Sequence, residues 1–355
     1  MSQPKSIEEL DKNFAVTKAA DGMLWHDARS LRIEGLGWSN EERLVPYDRL
    51  PARAKPLVRD GLWTLSEFTA GIHVRFATNA KEIGARWTLR NPNLSMPHMP
   101  STGMSGLDLY TRDQGRWHWI SIGRASGLEN KVSLVKIQPA IEREYLLYLP
   151  LYNGVASLEL GVPEGATFKR GATWPGKPML FYGTSITHGG CASRPGMAYP
   201  AILGRMLERD SINLGFSGNG WMELEVGRLL AELDPSVFVL DNLPNMNAEA
   251  VTKMTEPLVK LLRDARPSTP IVLVEHVCAQ GTLSDSPLSV GAQMNFALRA
   301  AFHRLQAAGV QNLHMVPGPT LLGADAEGTV DGIHPTDLGF LRMAEGLAPV
   351  LRPLA

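Results

Sequence analysis

The sequence predicts an α/β protein in two parts: a jelly-roll-like β-sandwich over residues 1–175, then a domain of alternating strands and helices over residues 176–355. Three features carry that expectation. Short runs in the first half alternate apolar and polar residues with a period of two, the pattern of strands that bury one face. After about residue 178, continuous apolar runs alternate with helical periodicity, which builds βαβ units and a parallel sheet covered on both faces. Between the halves, Gly161-Val-Pro-Glu-Gly165 and Gly171-Ala-Thr-Trp-Pro-Gly-Lys-Pro178 concentrate Gly and Pro, placing the boundary between 170 and 178. So short a linker leaves little room for independent tumbling, and the sandwich is expected to pack on the second domain and shape its mouth.

Residues 1–30 are mixed and polar, with Trp25-His-Asp-Ala28 the first segment expected to touch a core. Strands are expected at 71–78, 83–90, 107–112, 117–122, 143–150 and 155–161, where apolar and polar residues alternate. In the second half the apolar run 178–182 is followed by helix 198–208, strand 211–214, helix 223–232, strand 237–240 and helix 248–264. Strand 271–276, helix 290–308, strand 313–316 and helix 338–351 complete the series, with no internal repeat.

Composition narrows the function classes. A hydrophobic content of 44% is ordinary for a globular protein with a sizeable core, and a net charge of −1 offers no basic field for nucleic acid. The polar N-terminus lacks the apolar core of a secretion signal, and no run is long enough to span a membrane, so a cytoplasmic protein is expected. A processed secreted form would read the same way. Two cysteines, Cys191 and Cys278, exclude a disulfide framework, and whether they pair is not fixed by their spacing.

The chemistry centres on Phe181-Tyr-Gly-Thr-Ser-Ile-Thr-His-Gly-Gly190, which follows the apolar run Pro178-Met-Leu-Phe-Tyr182. Reacting groups gather at the carboxyl ends of strands in open α/β sheets, and a serine between small residues there exposes both its hydroxyl and its N–H. Ser185 is therefore the candidate nucleophile. Near the C-terminus, Thr329-Val-Asp-Gly-Ile-His-Pro-Thr336 sets Asp331 and His334 three residues apart in a turn, so that one loop can carry a base and its orienting carboxylate. Asn213-Leu-Gly-Phe-Ser-Gly-Asn-Gly220 and Val237-Phe-Val-Leu-Asp-Asn-Leu-Pro-Asn-Met-Asn247 are strand-like runs ending in small and amide residues, which are suitable donors to an oxyanion.

These four segments, in this order over residues 179–355, resemble the SGNH hydrolase superfamily, the GDSL esterases. The resemblance implies a flavodoxin-like three-layer αβα fold and a serine esterase. It assigns Ser185 as nucleophile, Asp331 and His334 as its partners, and the Ser185 N–H, Gly218 and Asn245 as the oxyanion hole. Thr184 stands where the family usually has aspartate, and Leu243-Pro-Asn-Met246 replaces the common Gly-x-Asn-Asp, which leaves Asn242 as a rival to Asn245. A β-sandwich ahead of such a domain resembles a branch of carbohydrate esterases, which implies a small acyl, best guessed as acetyl, on a carbohydrate alcohol. Acyl transfer through the same residues and a non-catalytic sugar-binding protein are the rival readings.

Four more residues are candidates for substrate contact. His188 either touches substrate or is packed; Trp221 is a candidate pocket wall; Glu275 and His276 close a strand, where Glu275 either positions substrate or forms an ion pair, with Arg194 a possible partner. Trp87, Trp117, Trp119 and Tyr110 either stack on sugar or pack in the sandwich. No residues have zinc-ligand spacing and no Walker or dinucleotide loop occurs, so no metal or cofactor is expected. The expected partner is a small-molecule or oligosaccharide ester, not nucleic acid or membrane.

Overall fold

The computed structural model of the chain describes residue 10 and residues 22–136, 140–277 and 290–355. Among the described residues, ten strands form the N-terminal sandwich: β1 (Met23–Asp27), β2 (Arg32–Glu34), β3 (His73–Thr78), β4 (Glu82–Leu89), β5 (Leu107–Asp113), β6 (Arg116–Gly123), β7 (Glu129–Lys136), β8 (Arg143–Tyr148), β9 (Val155–Pro163) and β10 (Phe168–Arg170). One antiparallel sheet has the order β1-β9-β4-β7; the other runs β10-β3-β8-β5-β6, with β2 on β3. Alternate residues of each sheet point inward, so Ile83, Ala85, Trp87, Leu158 and Leu160 meet Val74, Phe76, Leu109, Tyr145 and Leu147 in one core. Burying side chains of this size contributes about 1.5–3 kcal/mol each.

The second half is a five-stranded parallel sheet of β11 (Met179–Gly183), β12 (Ser211–Gly215), β13 (Val237–Asp241), β14 (Ile271–Val274) and β15 (Leu313–Val316), in the order β12-β11-β13-β14-β15. That is the flavodoxin-like order, with chain reversal at β11, where ligands collect in such sheets. Helices Tyr199–Leu207 and Asp337–Leu351 cover one face; Leu224–Glu232, Ala248–Ala265 and Val290–Ala307 cover the other. The central strands are buried on both faces, which is why they read as unbroken apolar runs.

Two features depart from the sequence expectation. Strands β1, β2, β7 and β10 were not expected from period-two alternation; β7 buries only Asn130, Val132 and Leu134, one of the three being polar. The stretch between β2 and β3 lends only Leu36, Tyr47 and Ile72 to the sandwich core, and most of its apolar residues pack against the second half. It carries the short helix Asp60–Ser66, and its Trp38, Leu50, Ala54, Leu62 and Trp63 share a core with Leu180, Tyr182 and Leu214 of the parallel sheet.

The two halves are also joined by buried polar groups. Arg49 is sealed from solvent, yet its guanidinium donates to the carbonyls of Leu65, Phe68, Asn213 and Gly215, so each of its nitrogens has an acceptor. Asp108, wholly buried within Gly106-Leu-Asp-Leu-Tyr110, accepts from Arg194 Nη1 at 2.9 Å, the Gly196 N–H at 2.8 Å and Trp119 Nε1 at 2.8 Å. Tyr110 joins the same guanidinium through its hydroxyl. Tyr110 and Trp119 thus serve the junction, while Trp87 lies in the sandwich core and Trp117 against Trp174.

Candidate active site

Strand β11 ends at Gly183, and the chain turns into a short helix, Ser185–His188, capped by Thr184, whose Oγ1 accepts from the Ile186 N–H. Only glycine fits the turn: a Cβ on Gly183 would lie 2.0 Å from Thr187 Oγ1 and 2.5 Å from the Asp241 carbonyl. Below the turn, Thr187 and Tyr199 each donate to Asp241 Oδ2 at 3.0 Å, which ties the helix to the end of β13. Burial pushes the Asp241 carboxyl up to about 6, against the pull of those two hydrogen bonds.

The loop ahead of helix Asp337–Leu351 is closed by the Val330 N–H to the His334 carbonyl, at 2.9 Å. Within it Asp331 acts twice. Its Oδ1 accepts from the N–H groups of Ile333 and His334, at 3.0 and 2.8 Å, and its Oδ2 lies 2.7 Å from His334 Nδ1. Burial alone would raise this carboxyl, but the ring and backbone hydrogen bonds outweigh it and hold Asp331 at about 2. An ionised carboxylate only accepts, so the Nδ1 of His334 carries a proton, and in the neutral ring this tautomer places the lone pair on Nε2. His334 Nε2 stands 3.0 Å from Ser185 Oγ. The Cys191 N–H donates to the Pro335 carbonyl at 3.0 Å, fastening the two loops together.

The three expected oxyanion donors, Ser185, Gly218 and Asn245, follow β11, β12 and β13 in turn. Asn245 lies in the short helix Leu243–Asn245 after β13, and its Oδ1 accepts from the Gly220 N–H at 3.3 Å, which leaves Nδ2 to donate elsewhere. Gly220 is the spacer, since a Cβ there would lie 2.2 Å from the Gly183 carbonyl. The N–H groups of Ser185 and Gly218 and the Asn245 Nδ2 make no hydrogen bond among the described residues. Gly218 is exposed with φ +67°, a conformation that suits glycine. The rival Asn242 is fully buried.

Trp221, 40% exposed, donates from Nε1 to the Gly218 carbonyl and stacks beneath Arg59, whose guanidinium carbon is 3.6 Å from the ring centroid. It forms a groove of about 610 Å³ with Asn245, Asn247, Glu249 and Lys253.

Three candidates for substrate contact fall elsewhere. His188 is fully buried, with Nε2 2.6 Å from the Leu151 carbonyl and its ring stacked on Tyr152 at 4.1 Å; burial and then Arg49 hold it neutral. Glu275 is buried in a bidentate ion pair with Arg299 and also accepts from the Gly318 N–H, so both oxygens are engaged. Its partner is not Arg194, which Asp108 holds. His276 is half-buried, with backbone N–H and carbonyl both bonded to Asn295, and burial lowers its imidazole to about 4. Cys191 is a buried free thiol, pushed up to about 12 by burial and then by Asp331, so it is no thiolate; Cys278 lies outside the described residues.

Sequence reasoning missed His98. It sits between Met96 and Met99, which exchange two backbone hydrogen bonds, and its ring lies edge-on to His334 with centroids 5.7 Å apart. A histidine among the methionines and prolines of 94–100, in the other half of the chain, gives no local sign of that neighbour.

A flavodoxin-like sheet with a serine, histidine and aspartate in one hydrogen-bonded line at its carboxyl edge is consistent with an SGNH hydrolase. Residues 176–352 match the GDSL-like Lipase/Acylhydrolase family, and residues 23–168 match the family described as the GxDLY N-terminus of SGNH-hydrolase-type esterases, whose signature is the Gly106–Tyr110 segment that grips Arg194. The chain belongs to the GDSL-like, SGNH-type esterase family.

A protein described as a GDSL-like lipase from Bacteroides ovatus ATCC 8483 is 34% identical, with 94% of this chain and 98% of that one covered and a TM-score of 0.88. A salicylyl-acyltransferase from a tetracycline biosynthetic pathway is 20% identical over 95% and 100% of the two chains, with a TM-score of 0.71. A family two carbohydrate esterase from Clostridium thermocellum, solved with cellohexaose, is 14% identical over 80% and 92%, with a TM-score of 0.58. The last two show likeness of fold alone. No curated protein sequence matches the chain. No helix among the described residues is long and apolar enough to cross a membrane.

Proposed function

We propose that the protein is a serine esterase that removes a small acyl group, acetyl in the first instance, from a hydroxylated alcohol of carbohydrate type. The observation that carries this reading is the line from Asp331 Oδ2 through the His334 ring to Ser185 Oγ, with contacts of 2.7 and 3.0 Å. Ser185 Oγ attacks the ester carbonyl carbon as its proton passes to His334 Nε2, and the carbonyl electron pair moves onto oxygen. That oxyanion is met by the Ser185 and Gly218 N–H groups and the Asn245 carboxamide. Collapse expels the alcohol, which takes the proton from Nε2. Water then attacks the acyl-enzyme by the same route, giving the carboxylic acid and restoring serine. Asp331 fixes the tautomer and stabilises the imidazolium. For the alcohol, the support is the groove beside Asn245, where an aromatic face and polar side chains offer stacking and hydrogen bonds to hydroxyls.

The test is hydrolysis of a chromogenic acetate ester, followed by a screen of acetylated sugars and oligosaccharides with competing alcohols present. Acetate release sensitive to acyl length supports the reading. Failure to cleave any ester would sink it, and acyl products formed only with the competing alcohols would replace hydrolysis by transfer.

Two further expectations arise here. Asn245→Ala should lower kcat by roughly 10²- to 10³-fold, the loss of one oxyanion donor, with less change in KM. In the pH profile, kcat/KM should rise through a single acid-side inflection, because a general base must be neutral to accept the serine proton. Asp331, held at about 2, stays charged and adds no second inflection, and the Cys191 thiol at about 12 adds no alkaline limb below about pH 11. Two inflections on the acid side would contradict this assignment.

A further inference from the structure

We propose that His98, Cys191 and His334 form a binding site for Zn²⁺ whose occupancy switches the esterase off. The three residues are far apart in sequence, yet one ligand atom from each lies within 4.8 Å of the others. Tetrahedral zinc, with bonds of about 2.0–2.1 Å to imidazole nitrogen and about 2.3 Å to thiolate, sets such atoms roughly 3.3–3.6 Å apart. The donors therefore need to close by at most about 1.2–1.5 Å, within reach of side-chain torsions. Two imidazoles and one thiolate suit zinc better than magnesium or calcium, which take oxygen ligands.

The surroundings of the three donors favour a ligand set over a chance meeting. Asp331 holds the Nδ1 proton of His334, so the lone pair on Nε2 is the one offered, in the carboxylate–histidine arrangement that orients metal ligands. The Cys191–Pro335 backbone hydrogen bond keeps the thiol beside the His334 loop. His98 is presented by the Met96–Met99 bridge, with its ring edge-on to that of His334. The group is assembled from both halves of the chain. When Zn²⁺ binds, Cys191 gives its proton to solvent, and the metal takes the Nε2 lone pair that would otherwise accept the Ser185 proton. The fourth position is filled by water. Inhibition rests on His334 being the catalytic base; binding does not.

The experiment uses the full-length protein stripped of metal with a chelator. Zn²⁺ is titrated calorimetrically into the wild type and into His98→Ala, Cys191→Ala and Cys278→Ala, and the Co²⁺ form is examined for a thiolate charge-transfer band. In parallel, hydrolysis of a chromogenic acetate ester is followed with added Zn²⁺ and then with EDTA. One equivalent should bind, and His98→Ala and Cys191→Ala should each weaken it by at least the roughly 10- to 100-fold that losing even an outer partner costs a metal site. Cys278→Ala should change neither affinity nor the band. Wild-type activity should fall in proportion to occupancy and return with EDTA, while Cys191→Ala keeps its activity at the same Zn²⁺ concentration. Zinc affinity unaffected by His98→Ala and Cys191→Ala would overturn the proposal, as would a thiolate band lost in Cys278→Ala or full activity in the zinc-saturated wild type. Binding is read without turnover, so a protein that binds zinc as described but cleaves no ester would indict the esterase reading and leave the site standing.

Discussion

Ser185→Ala should lower kcat by roughly 10⁴-fold or more and abolish any acyl-enzyme, because the hydroxyl 3.0 Å from His334 Nε2 is the group proposed to attack. The cavity left by one oxygen is small, so folding and substrate affinity should be nearly unchanged. Cys191→Ala should change turnover by less than roughly tenfold, about 1.4 kcal/mol of barrier, since its thiol stays protonated. Rapid-quench measurement of acyl-enzyme in both variants separates the two roles. An acyl-enzyme persisting in Ser185→Ala would remove the serine from the mechanism.

The second large effect concerns the junction. Asp108→Ala removes the acceptor shared by Arg194, the Gly196 N–H and Trp119 Nε1, and leaves a partly buried guanidinium without its carboxylate. Breaking such a pair costs about 3–5 kcal/mol, a large part of the roughly 5–15 kcal/mol that holds a typical domain folded. Asp108→Asn keeps an acceptor oxygen and should lose less. Urea unfolding of the three proteins checks this, and equal midpoints for wild type and Asp108→Ala would refute the clasp. Activity should fall as well, because the segment it holds, 194–196, continues from Cys191 and Ser193; Ser193 is bonded to Asp337 at the start of the helix behind His334.

How much of this was legible depended on how local the cause was. The parallel sheet could be read almost to the residue because β11, β13 and β14 are buried on both faces and so carry unbroken apolar runs. Ser185, Asp331 and His334 were legible because each sits where strand end or turn chemistry advertises it, and the structure brings them into one hydrogen-bonded line. That Trp38, Leu50, Ala54, Leu62 and Trp63 pack on the parallel sheet was not legible, since they are irregularly spaced and their partners lie more than a hundred residues downstream. The same limit hid Asp108, which reads as the polar position of an alternating strand until Arg194 arrives, and it left His188 and Glu275 as candidates until burial gave them structural partners.

The central claim, that Ser185 is a nucleophile activated by His334, is tested most directly by a serine-directed phosphonate ester followed by peptide mapping. The expected result is one label per chain on the peptide containing Ser185, formed faster as pH rises and lost in both Ser185→Ala and His334→Ala. A label on Cys191 or on Ser217, or stoichiometric labelling that survives Ser185→Ala, would contradict it.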